Sequence, residues 1–149
     1  MPKEHQEFEY DQIDDHIWIG TNQCCQTHFE ESLLKKEIRA DISLEKEHLD
    51  APYGVGSFLW LPTEDHTSPS LAQLHLGAEH LRLLVQHDMK VYVHCKNGHG
   101  RAPTLVAAYY ILTGMSVDEA IKFVCSKRRG AHVDDVQRRG LEEFTKSLK

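Results

Sequence analysis

Hydrophobic positions along the chain follow two rhythms, which are the periods expected of β-strands and of amphipathic α-helices. Short apolar runs predict strands at residues 16–20, 38–44, 57–62 and 90–95. The run at 90–95 is the most apolar, so we expect it in the centre of the sheet, where both faces are covered. Helical spacing predicts helices at residues 27–36, 69–87, 101–112, 116–127 and 134–147. Alternating strands and helices indicate a single α/β domain, with a central, mainly parallel sheet of four to five strands flanked by helices.

Capping residues and apolar stripes give these helices their predicted ends and buried faces. The predicted starts rest on two capping-box pairs and one Ser-Pro step, namely Thr27 with Glu30, Ser116 with Glu119, and Ser68 before Pro69. The buried stripe of the second helix is predicted to contain Leu71, Leu74, Ala78, Leu81 and Val85. The predicted buried positions of the last helix are Val136, Leu141 and Phe144. Gly140 weakens the prediction of that helix.

The composition fits one globular domain. The chain has 149 residues, of which 40% are hydrophobic and 27% are charged. The acidic, polar segment 1–10 resembles neither a signal nor a transit peptide, and we expect a loosely ordered tail there and the folded domain at 11–149. No apolar run approaches the roughly 18 residues of a membrane helix. We therefore expect a cytoplasmic protein without stable membrane insertion.

The charge distribution narrows the class of ligand. A net charge of −6, with histidine neutral, argues against a general nucleic-acid binder. Positive charge is nevertheless gathered locally, at Lys96, His99 and Arg101, at residues 127–129, and at residues 138–139. An acidic protein with basic clusters is compatible with a small anionic ligand. For Arg138 and Arg139 we favour a solvated helix face.

The cysteines and histidines do not follow the spacing of a disulfide framework or of a metal site. The four cysteines include no C-x-x-C pair, and Cys125 is predicted to be a small core residue. For the adjacent Cys24 and Cys25 we favour two surface or semi-buried thiols, and a role as resolving thiols in a redox reaction is the alternative. Among the 11 histidines, His80 and His87 share the polar face of one helix. About 10 Å separates them, too far for one ion, so we expect solvated histidines, no metal and no cofactor.

The segment 91–111, VYVHCKNGHGRAPTLVAAYYI, joins the most apolar strand to a helix through a short loop. Ligands of α/β sheets bind at the carboxyl ends of strands, and Cys95 and Arg101 lie at such an end. Gly98 and Gly100 let the backbone curl, so that its N–H groups and the helix N-terminus can face one anion. Arg101 can give an oxyanion two parallel hydrogen bonds, and the positive field favours the thiolate of Cys95. A thiolate beneath a bound phosphate is a nucleophile toward phosphorus.

The sequence His94-Cys95-x5-Arg101 resembles the signature of the cysteine-dependent protein tyrosine phosphatase superfamily. QIDDHIWIG resembles the first strand of its small, atypical dual-specificity branch, and WLPTEDHTSPS resembles the segment that carries the general-acid aspartate of that branch. PTLVAAYYIL and MSVDEAIKFVCSKR resemble the two helices that follow the signature. The match runs from about residue 10 to the end, and it implies a dual-specificity-phosphatase-like catalytic domain at 11–149.

The resemblance implies a role for each residue of the site. Cys95 would be the nucleophile that forms a phosphocysteine intermediate, and His94 would support its thiolate through hydrogen bonds. Asp65 would be the proton donor, chosen over its neighbours Glu64 and His66. The phosphate-binding residues would be Lys96, Asn97, Gly98, His99, Gly100 and Arg101. The reaction would need no metal, and its substrate would be a phosphorylated protein or a small phosphomonoester.

Two departures from the usual family pattern leave alternatives open. The residue after the arginine is Ala102, where the superfamily usually has serine or threonine, so a slow or inactive module that binds phosphorylated partners is one alternative. Lys96 and His99 make the loop basic, as in phosphoinositide phosphatases of the superfamily, so a phosphoinositide or phospholipid phosphatase is another. A sulfurtransferase is a third alternative, against which the candidate acid Asp65 speaks. We expect a monomer.

Overall fold

A computed structural model describes residues 7–23 and 26–149, which form five strands and five helices. The strands are β1 Tyr10–Gln12, β2 Ile17–Gly20, β3 Ile38–Glu45, β4 Ser57–Thr63 and β5 Lys90–His94. The helices are α1 Glu31–Lys35, α2 Leu71–Gln86, α3 Arg101–Leu112, α4 Val117–Lys127 and α5 Asp135–Ser147.

The strands form one sheet in the order β1-β2-β5-β3-β4, with β5 in the middle. β5 pairs in parallel with β2 on one side and with β3 on the other, and β3 pairs in parallel with β4. The predicted α/β fold, its mainly parallel sheet and the central place of the strand at 90–95 are therefore confirmed. Because four strands are parallel, their carboxyl ends lie at one edge of the sheet, where a ligand site is expected.

The sequence pattern missed β1, a three-residue edge strand that pairs antiparallel with β2. Its residues, YDQ, are too few and too polar to show a period of two. The chain just before it is also packed on the domain, because Glu9 N–H donates to Thr21 Oγ1 at 3.2 Å and the Phe8 ring lies 6.2 Å from that of Tyr92. The predicted tail at 1–10 is therefore wrong for residues 8–10.

Each face of the sheet is covered by its own apolar cluster. On one face, Val91 and Val93 of β5 pack with the large cluster formed by helices α2 to α5. On the other face, Tyr92 joins a smaller cluster with Trp18, Phe29, Leu33 and Ile38. β5 is thus buried on both faces, which explains its continuous apolar run.

Helix α3 is the central helix of the large cluster, and its residues 101–111 are all buried. It packs against α2, α4 and α5, so its apolar sequence is covered all round. The predicted bounds 101–112 are confirmed. This burial fixes the N-terminus of α3 at the carboxyl end of β5.

Helix α1 is shorter than the predicted helix 27–36. Its N-cap residue is Glu30, whose carboxylate accepts a hydrogen bond from Ser32 N–H at 3.0 Å, so Thr27 does not form the predicted capping box. By contrast, the predicted capping box between Ser116 and Glu119 is present at the start of α4. The same sequence pattern therefore marks the start of α4 but not the start of α1.

Helix α2 begins two residues later than predicted. Ser70, rather than Ser68, is its N-cap residue, and it forms a capping box with Gln73. Leu71 therefore falls in the first turn and is 42% exposed, so its predicted burial is wrong. The deeper positions Leu74 and Leu81 are buried as predicted.

Helix α5 buries a polar residue where an apolar one was predicted. Leu141 and Phe144 are buried as predicted, but Val136 is 47% exposed and Gln137 is buried in its place. The reason is that the Gln137 side-chain amide donates to the Thr67 carbonyl at 3.3 Å, which joins α5 to the loop after β4.

Helix α5 contains Gly140, a residue type that is unfavourable in helices, because another part of the chain packs closely against it. A Cβ atom at this position would lie 2.0 Å from Ser68 Oγ, which is closer than the two atoms can approach. The glycine therefore allows the loop after β4 to rest directly on α5, and packing outweighs its low helix propensity.

His80 of α2 and His87, the C-cap residue of that helix, lie in different environments. His87 is exposed as predicted, but His80 is half-buried, and its Nε2 lies 3.1 Å from Ser57 Oγ. Burial lowers the pKa of His80 below its ordinary value. The prediction of solvated histidines is therefore wrong for His80. Within the part of the chain that the structure describes, no helix combines the length and apolar composition needed to cross a membrane.

Candidate active site

The signature loop, residues 95–100, connects β5 to α3 at the carboxyl edge of the sheet. Gly100 is the N-cap residue of α3, so the loop leads directly into a helix N-terminus. Gly98 has a φ of +72°, and a Cβ atom there would lie 2.5 Å from the Gly20 carbonyl oxygen. Only glycine suits both conditions, so the glycine in the signature is required by the shape of the loop.

Cys95 lies at the base of this loop, with its side chain facing the curled backbone. The residue is buried, and its Sγ accepts a hydrogen bond from Gly98 N–H at 3.2 Å. The sulfur is thus held against the loop, with a backbone donor directed at it.

A cavity of about 210 Å³ opens above the loop. It brings together six of the predicted site residues, Asp65, Cys95, Asn97, His99, Gly100 and Arg101. The structure adds His66, His132, Asp134 and Gln137 to its walls. Three predicted residues lie outside the lining: Lys96 is exposed on the surface, Gly98 is a buried residue of the loop itself, and His94 is buried at the end of β5.

The Arg101 guanidinium lies at the wall of the cavity and is only 2% exposed. Its Nη1 and Nη2 donate to the two carboxylate oxygens of Glu47 at 2.6 and 3.1 Å, and Nη1 also donates to the Thr63 carbonyl at 2.8 Å. Its Nε has no hydrogen-bond partner among the described residues, and it lies 3.6 Å from Asp65 Oδ1. A buried donor without a partner is costly, which makes this nitrogen a candidate contact for a bound anion.

The pairing with Glu47 changes the ionisation of both side chains. Burial alone lowers the pKa of Arg101, but the hydrogen bond to Glu47 and the nearby Cys95 raise it, so the net shift is upward. The same hydrogen bond lowers the pKa of Glu47. Arg101 therefore stays charged, and its orientation is fixed before any ligand arrives.

The loop after β4 places Asp65 in the cavity and leaves its neighbour Glu64 outside the lining. Asp65 Oδ1 accepts a hydrogen bond from His66 N–H at 3.0 Å, and His66 has a φ of +62°, which turns the chain sharply at this point. The side chain of Asp65 is 53% exposed, so it is within reach of both solvent and ligand. This placement favours Asp65 over Glu64 as the candidate acid.

The comparisons with known proteins agree with this geometry. Residues 17–147 match the family model described as the dual specificity phosphatase catalytic domain. The chain belongs to the dual-specificity phosphatase family. A crystal structure of PTPMT1 superimposes on this phosphatase domain with a TM-score of 0.80 and 29% identity, over 94% of this chain and 96% of that one.

Two named relatives share part of their length with this phosphatase domain. Phosphatidylglycerophosphatase and protein-tyrosine phosphatase 1 of Rattus norvegicus is 38% identical over 92 residues, which are 60% of this chain and 48% of that protein. Protein tyrosine phosphatase type IVA 3 of Homo sapiens is 48% identical over 54 residues, which are 36% of this chain and 31% of that protein. The matches thus span about half and about a third of these relatives.

His94 directly precedes Cys95 and is fully buried between two carboxylates. Its Nε2 is 3.0 Å from Asp41 Oδ1, and its Nδ1 is 3.7 Å from Asp50 Oδ2. Neither ring nitrogen of His94 has the full geometry of a hydrogen bond to these carboxylates. Burial lowers the pKa of His94, but Asp41 and Asp50 outweigh this effect and raise it above its ordinary value.

A third buried carboxylate, Glu45, completes an acidic cluster with Asp41 and Asp50. Both carboxylate oxygens of Glu45 accept hydrogen bonds from Asn22 Nδ2, at 3.1 and 3.0 Å. Burial raises the pKa of Glu45. The sequence analysis missed this cluster, although two acidic residues inside the apolar strand IRADISLE were a visible signal.

The sequence analysis also missed Arg128, which it counted within a basic cluster at 127–129. The side chain is fully buried behind the signature loop. Its Nε donates to the Gly98 carbonyl at 3.1 Å, and its Nη2 donates to the Asn97 carbonyl at 2.7 Å. Carboxylates of the N-terminal segment face its other side, with Asp11 Oδ2 at 3.0 Å and Glu9 Oε1 at 3.2 Å.

Two further predictions concern the other cysteines and the absence of a metal site. Cys125 is half-buried, and burial raises the pKa of its thiol. Cys24 and Cys25 lie outside the described residues. In residues 7–23 and 26–149, no three His, Cys, Asp or Glu side chains form a group that would hold a metal ion.

Proposed function

We propose that this protein hydrolyses phosphomonoesters through a phosphocysteine intermediate, and that it acts as a dual-specificity protein phosphatase. The observation that carries the proposal is the buried, unpartnered Nε of Arg101 in the cavity that also contains Cys95 and Asp65. A phosphate oxygen would supply the missing acceptor. The nucleophile and the acid would then lie on two sides of one bound group.

In the first step, the thiolate sulfur of Cys95 attacks phosphorus, and the bond from phosphorus to the substrate oxygen breaks. Asp65 gives its proton to the departing oxygen, so that an alcohol or phenol leaves rather than an anion. The negative charge that spreads over the phosphoryl oxygens is stabilised by Arg101 and by the loop N–H groups.

In the second step, water attacks the phosphocysteine. The Asp65 carboxylate, which lost its proton in the first step, accepts one from that water, and the sulfur leaves as a thiolate. Inorganic phosphate is released and the site returns to its starting state. Each role is performed by protein groups, which is consistent with the predicted independence from metal.

The proposed substrates are proteins carrying phosphotyrosine and also phosphoserine or phosphothreonine. A phosphorylated lipid is the second candidate, because a structural neighbour at 28% identity and a TM-score of 0.80 is PTPMT1 in complex with PI(5)P. A phosphatase-like module with slow or no turnover is the third candidate, and Ala102 is the residue that supports it. Monomeric state and cytoplasmic location stay predictions.

The deciding experiment compares wild type with Cys95→Ser and Cys125→Ser in the hydrolysis of p-nitrophenyl phosphate. A serine hydroxyl at position 95 cannot replace the thiolate, so we expect no phosphate release, while Cys125→Ser should match wild type. Vanadate binding should survive in Cys95→Ser, because the donors to the anion remain. Substantial turnover by Cys95→Ser, or none by wild type, would contradict the proposal.

A substrate panel separates the candidate substrates. Phosphopeptides with phosphotyrosine, phosphoserine or phosphothreonine would be compared with PI(5)P and phosphatidylglycerophosphate in phosphatidylcholine vesicles. A higher kcat/KM for the peptides is expected. Faster hydrolysis of the lipids would favour the second candidate, and vanadate binding without turnover of any substrate would favour the third. Formation of thiocyanate from thiosulfate and cyanide would instead indicate a sulfurtransferase.

A further inference from the structure

The signature loop is held from behind by one side chain. Arg128 donates one hydrogen bond to the carbonyl of Asn97, at 2.7 Å from Nη2, and another to the carbonyl of Gly98, at 3.1 Å from Nε. These two carbonyls belong to consecutive peptide units. The guanidinium therefore fixes the rotation of both units about the chain.

A trans peptide unit is planar, and its N–H points away from its C=O. The unit whose carbonyl belongs to Asn97 carries the N–H of Gly98, which donates to Cys95 Sγ at 3.2 Å. The next unit carries the carbonyl of Gly98 and the N–H of His99. Because Arg128 holds both carbonyls on the rear side, both N–H groups are turned toward the side of the sulfur and the cavity.

The charge of Arg128 is balanced by the N-terminal edge of the domain. Asp11 of β1 accepts from Nη1 at 3.0 Å, and Glu9 accepts from Nη2 at 3.2 Å. Burial raises the pKa of Asp11, but hydrogen bonds from Arg129 and Arg128 outweigh this effect, so the net shift is downward. Asp11 is thus ionised near neutral pH and can hold the buried guanidinium in place.

We propose that Arg128 is a positioning residue that directs the N–H groups of Gly98 and His99 at the phosphate site. Glu9 and Asp11, just before and within β1, hold Arg128 in the position that this role requires. The proposal rests on the proposed function only for the identity of the bound anion. Arg128 itself touches neither the cavity nor the reacting atoms, because it lies behind the loop and is fully buried.

The test compares Arg128→Lys with Arg129→Lys. Lysine keeps the charge, but an ammonium cannot hold two consecutive carbonyls with the fork of a guanidinium. Arg129 is the matched control, since it also contacts Asp11 but is 69% exposed, and within the described part of the chain its side chain donates no hydrogen bond to the loop. The readouts are hydrogen exchange of the loop amides, vanadate affinity, and kcat and KM for p-nitrophenyl phosphate, all well below the melting temperature.

We expect Arg128→Lys to speed exchange of the Gly98 and His99 amides and to weaken vanadate binding by roughly tenfold or more, as loss of a charge-assisted hydrogen bond implies. The expected fall in kcat/KM is of similar size, and Arg129→Lys should leave all three readouts at the wild-type level. A merely structural role would lower the melting temperature of Arg128→Lys but leave loop exchange and vanadate affinity unchanged in the folded protein.

If Arg128→Lys does not fold, a second variant tests whether Arg128 positions the loop. The double variant Glu9→Gln/Asp11→Asn keeps Arg128 but removes both carboxylates that hold it, so a smaller change in the same direction is expected. Wild-type loop exchange and vanadate affinity in every folded variant of this set would overturn the proposal. If the wild type neither binds vanadate nor hydrolyses the ester, the proposed function fails, while loop exchange still decides whether Arg128 holds the loop.

Discussion

Two buried arginines lie on opposite sides of the signature loop, and they use their hydrogen-bond donors differently. Arg101 faces the cavity, and its Nε is left without a partner among the described residues. Arg128 lies behind the loop, and all three of its nitrogens donate to carbonyls or carboxylates. This difference is expected if Arg101 keeps one donor open for a ligand, whereas every nitrogen of Arg128 has a partner within the protein.

Arg101→Lys should give the largest effect and therefore the strongest contrast with Arg128→Lys. An ammonium cannot contact Glu47 and a phosphate oxygen with the same geometry, so the donor that Nε offers to the transition state is lost. Because one such donor is worth about 10²–10³-fold, we expect kcat/KM to fall by roughly a thousandfold.

Steady-state kinetics with p-nitrophenyl phosphate measure this effect, and hydrogen exchange of the loop should stay at the wild-type level. Arg139→Lys, on the solvent side of α5, serves as the control and should be silent. Near-normal turnover by Arg101→Lys would contradict the difference between the two arginines, because the unpartnered Nε of Arg101 would then have no role in turnover.

Asp65→Ala should test whether Asp65, which lies 3.6 Å from the unpartnered Nε of Arg101, donates the proton to the leaving oxygen. Loss of a general acid is expected to reduce kcat by about a hundredfold for alkyl phosphates, whose leaving oxygen needs a proton. Esters with acidic leaving groups should lose much less. A series of aryl and alkyl esters measures the slope of rate against leaving-group acidity, with Glu64→Ala as the neighbouring control. An equal loss across the series, or the same slope change in Glu64→Ala, would remove Asp65 from the role.

Glu47→Gln should test how much the function of Arg101 depends on Glu47, the carboxylate that pairs with it. Glutamine keeps one acceptor but loses the charge, and we expect kcat/KM to fall by about tenfold. The pKa of Glu47 is lowered by Arg101, so its contribution to stability is present above its ordinary value of 4.5 and disappears as pH falls through the lowered value.

Thermal melts of wild type and Glu47→Gln check the sign of this pH dependence. The difference in melting temperature should be clear at neutral pH and should shrink in acid, with Glu143→Gln as an exposed control. A difference that grew as pH fell would show that the ion pair with Arg101 does not stabilise the fold.

Ala102→Ser should give the smallest effect. Ala102 is buried in the first turn of α3 and has no hydroxyl to stabilise the sulfur as it leaves the phosphocysteine. A restored hydrogen bond should raise the steady-state rate by about tenfold at most, with little change in kcat/KM. Stopped-flow traces should show a burst of p-nitrophenol in wild type and a smaller burst in the variant. No burst in wild type and an unchanged kcat in Ala102→Ser would show that the hydroxyl is dispensable.

The sequence was sufficient for the parts of the site that are local along the chain. Cys95, Gly98 and Arg101 lie within seven positions of one another, so their spacing alone predicts a loop that can curl around an anion. The bounds of α3 were predictable for the same reason, because a continuous apolar run follows a glycine N-cap.

The parts that the sequence did not reveal depend on contacts between distant segments. Glu47 lies 54 residues from Arg101, and Arg128 lies 30 residues from Gly98, so neither pairing leaves a pattern in one sequence. The error at Val136 has a related cause. The apolar period of α5 suggested burial, but the Gln137 amide bonds to the Thr67 carbonyl across 70 residues and takes the inner position.

Two groups under the loop, Glu45 and His94, take up protons when the chain folds. Burial raises the pKa of Glu45, and Asp41 and Asp50 raise that of His94 against the opposing effect of burial. Above the ordinary values of 4.5 and 6.5, the native state thus holds protons that the unfolded chain gives up, and stability declines as pH rises through the raised values. Side chains with lowered pKa values act in the opposite direction, Glu47 in acidic solution and His80 and His99 near neutral pH. The part of the heat of unfolding that comes from the acidic cluster and His94 should therefore vary with the ionisation enthalpy of the buffer, since the buffer must absorb the protons that these groups release.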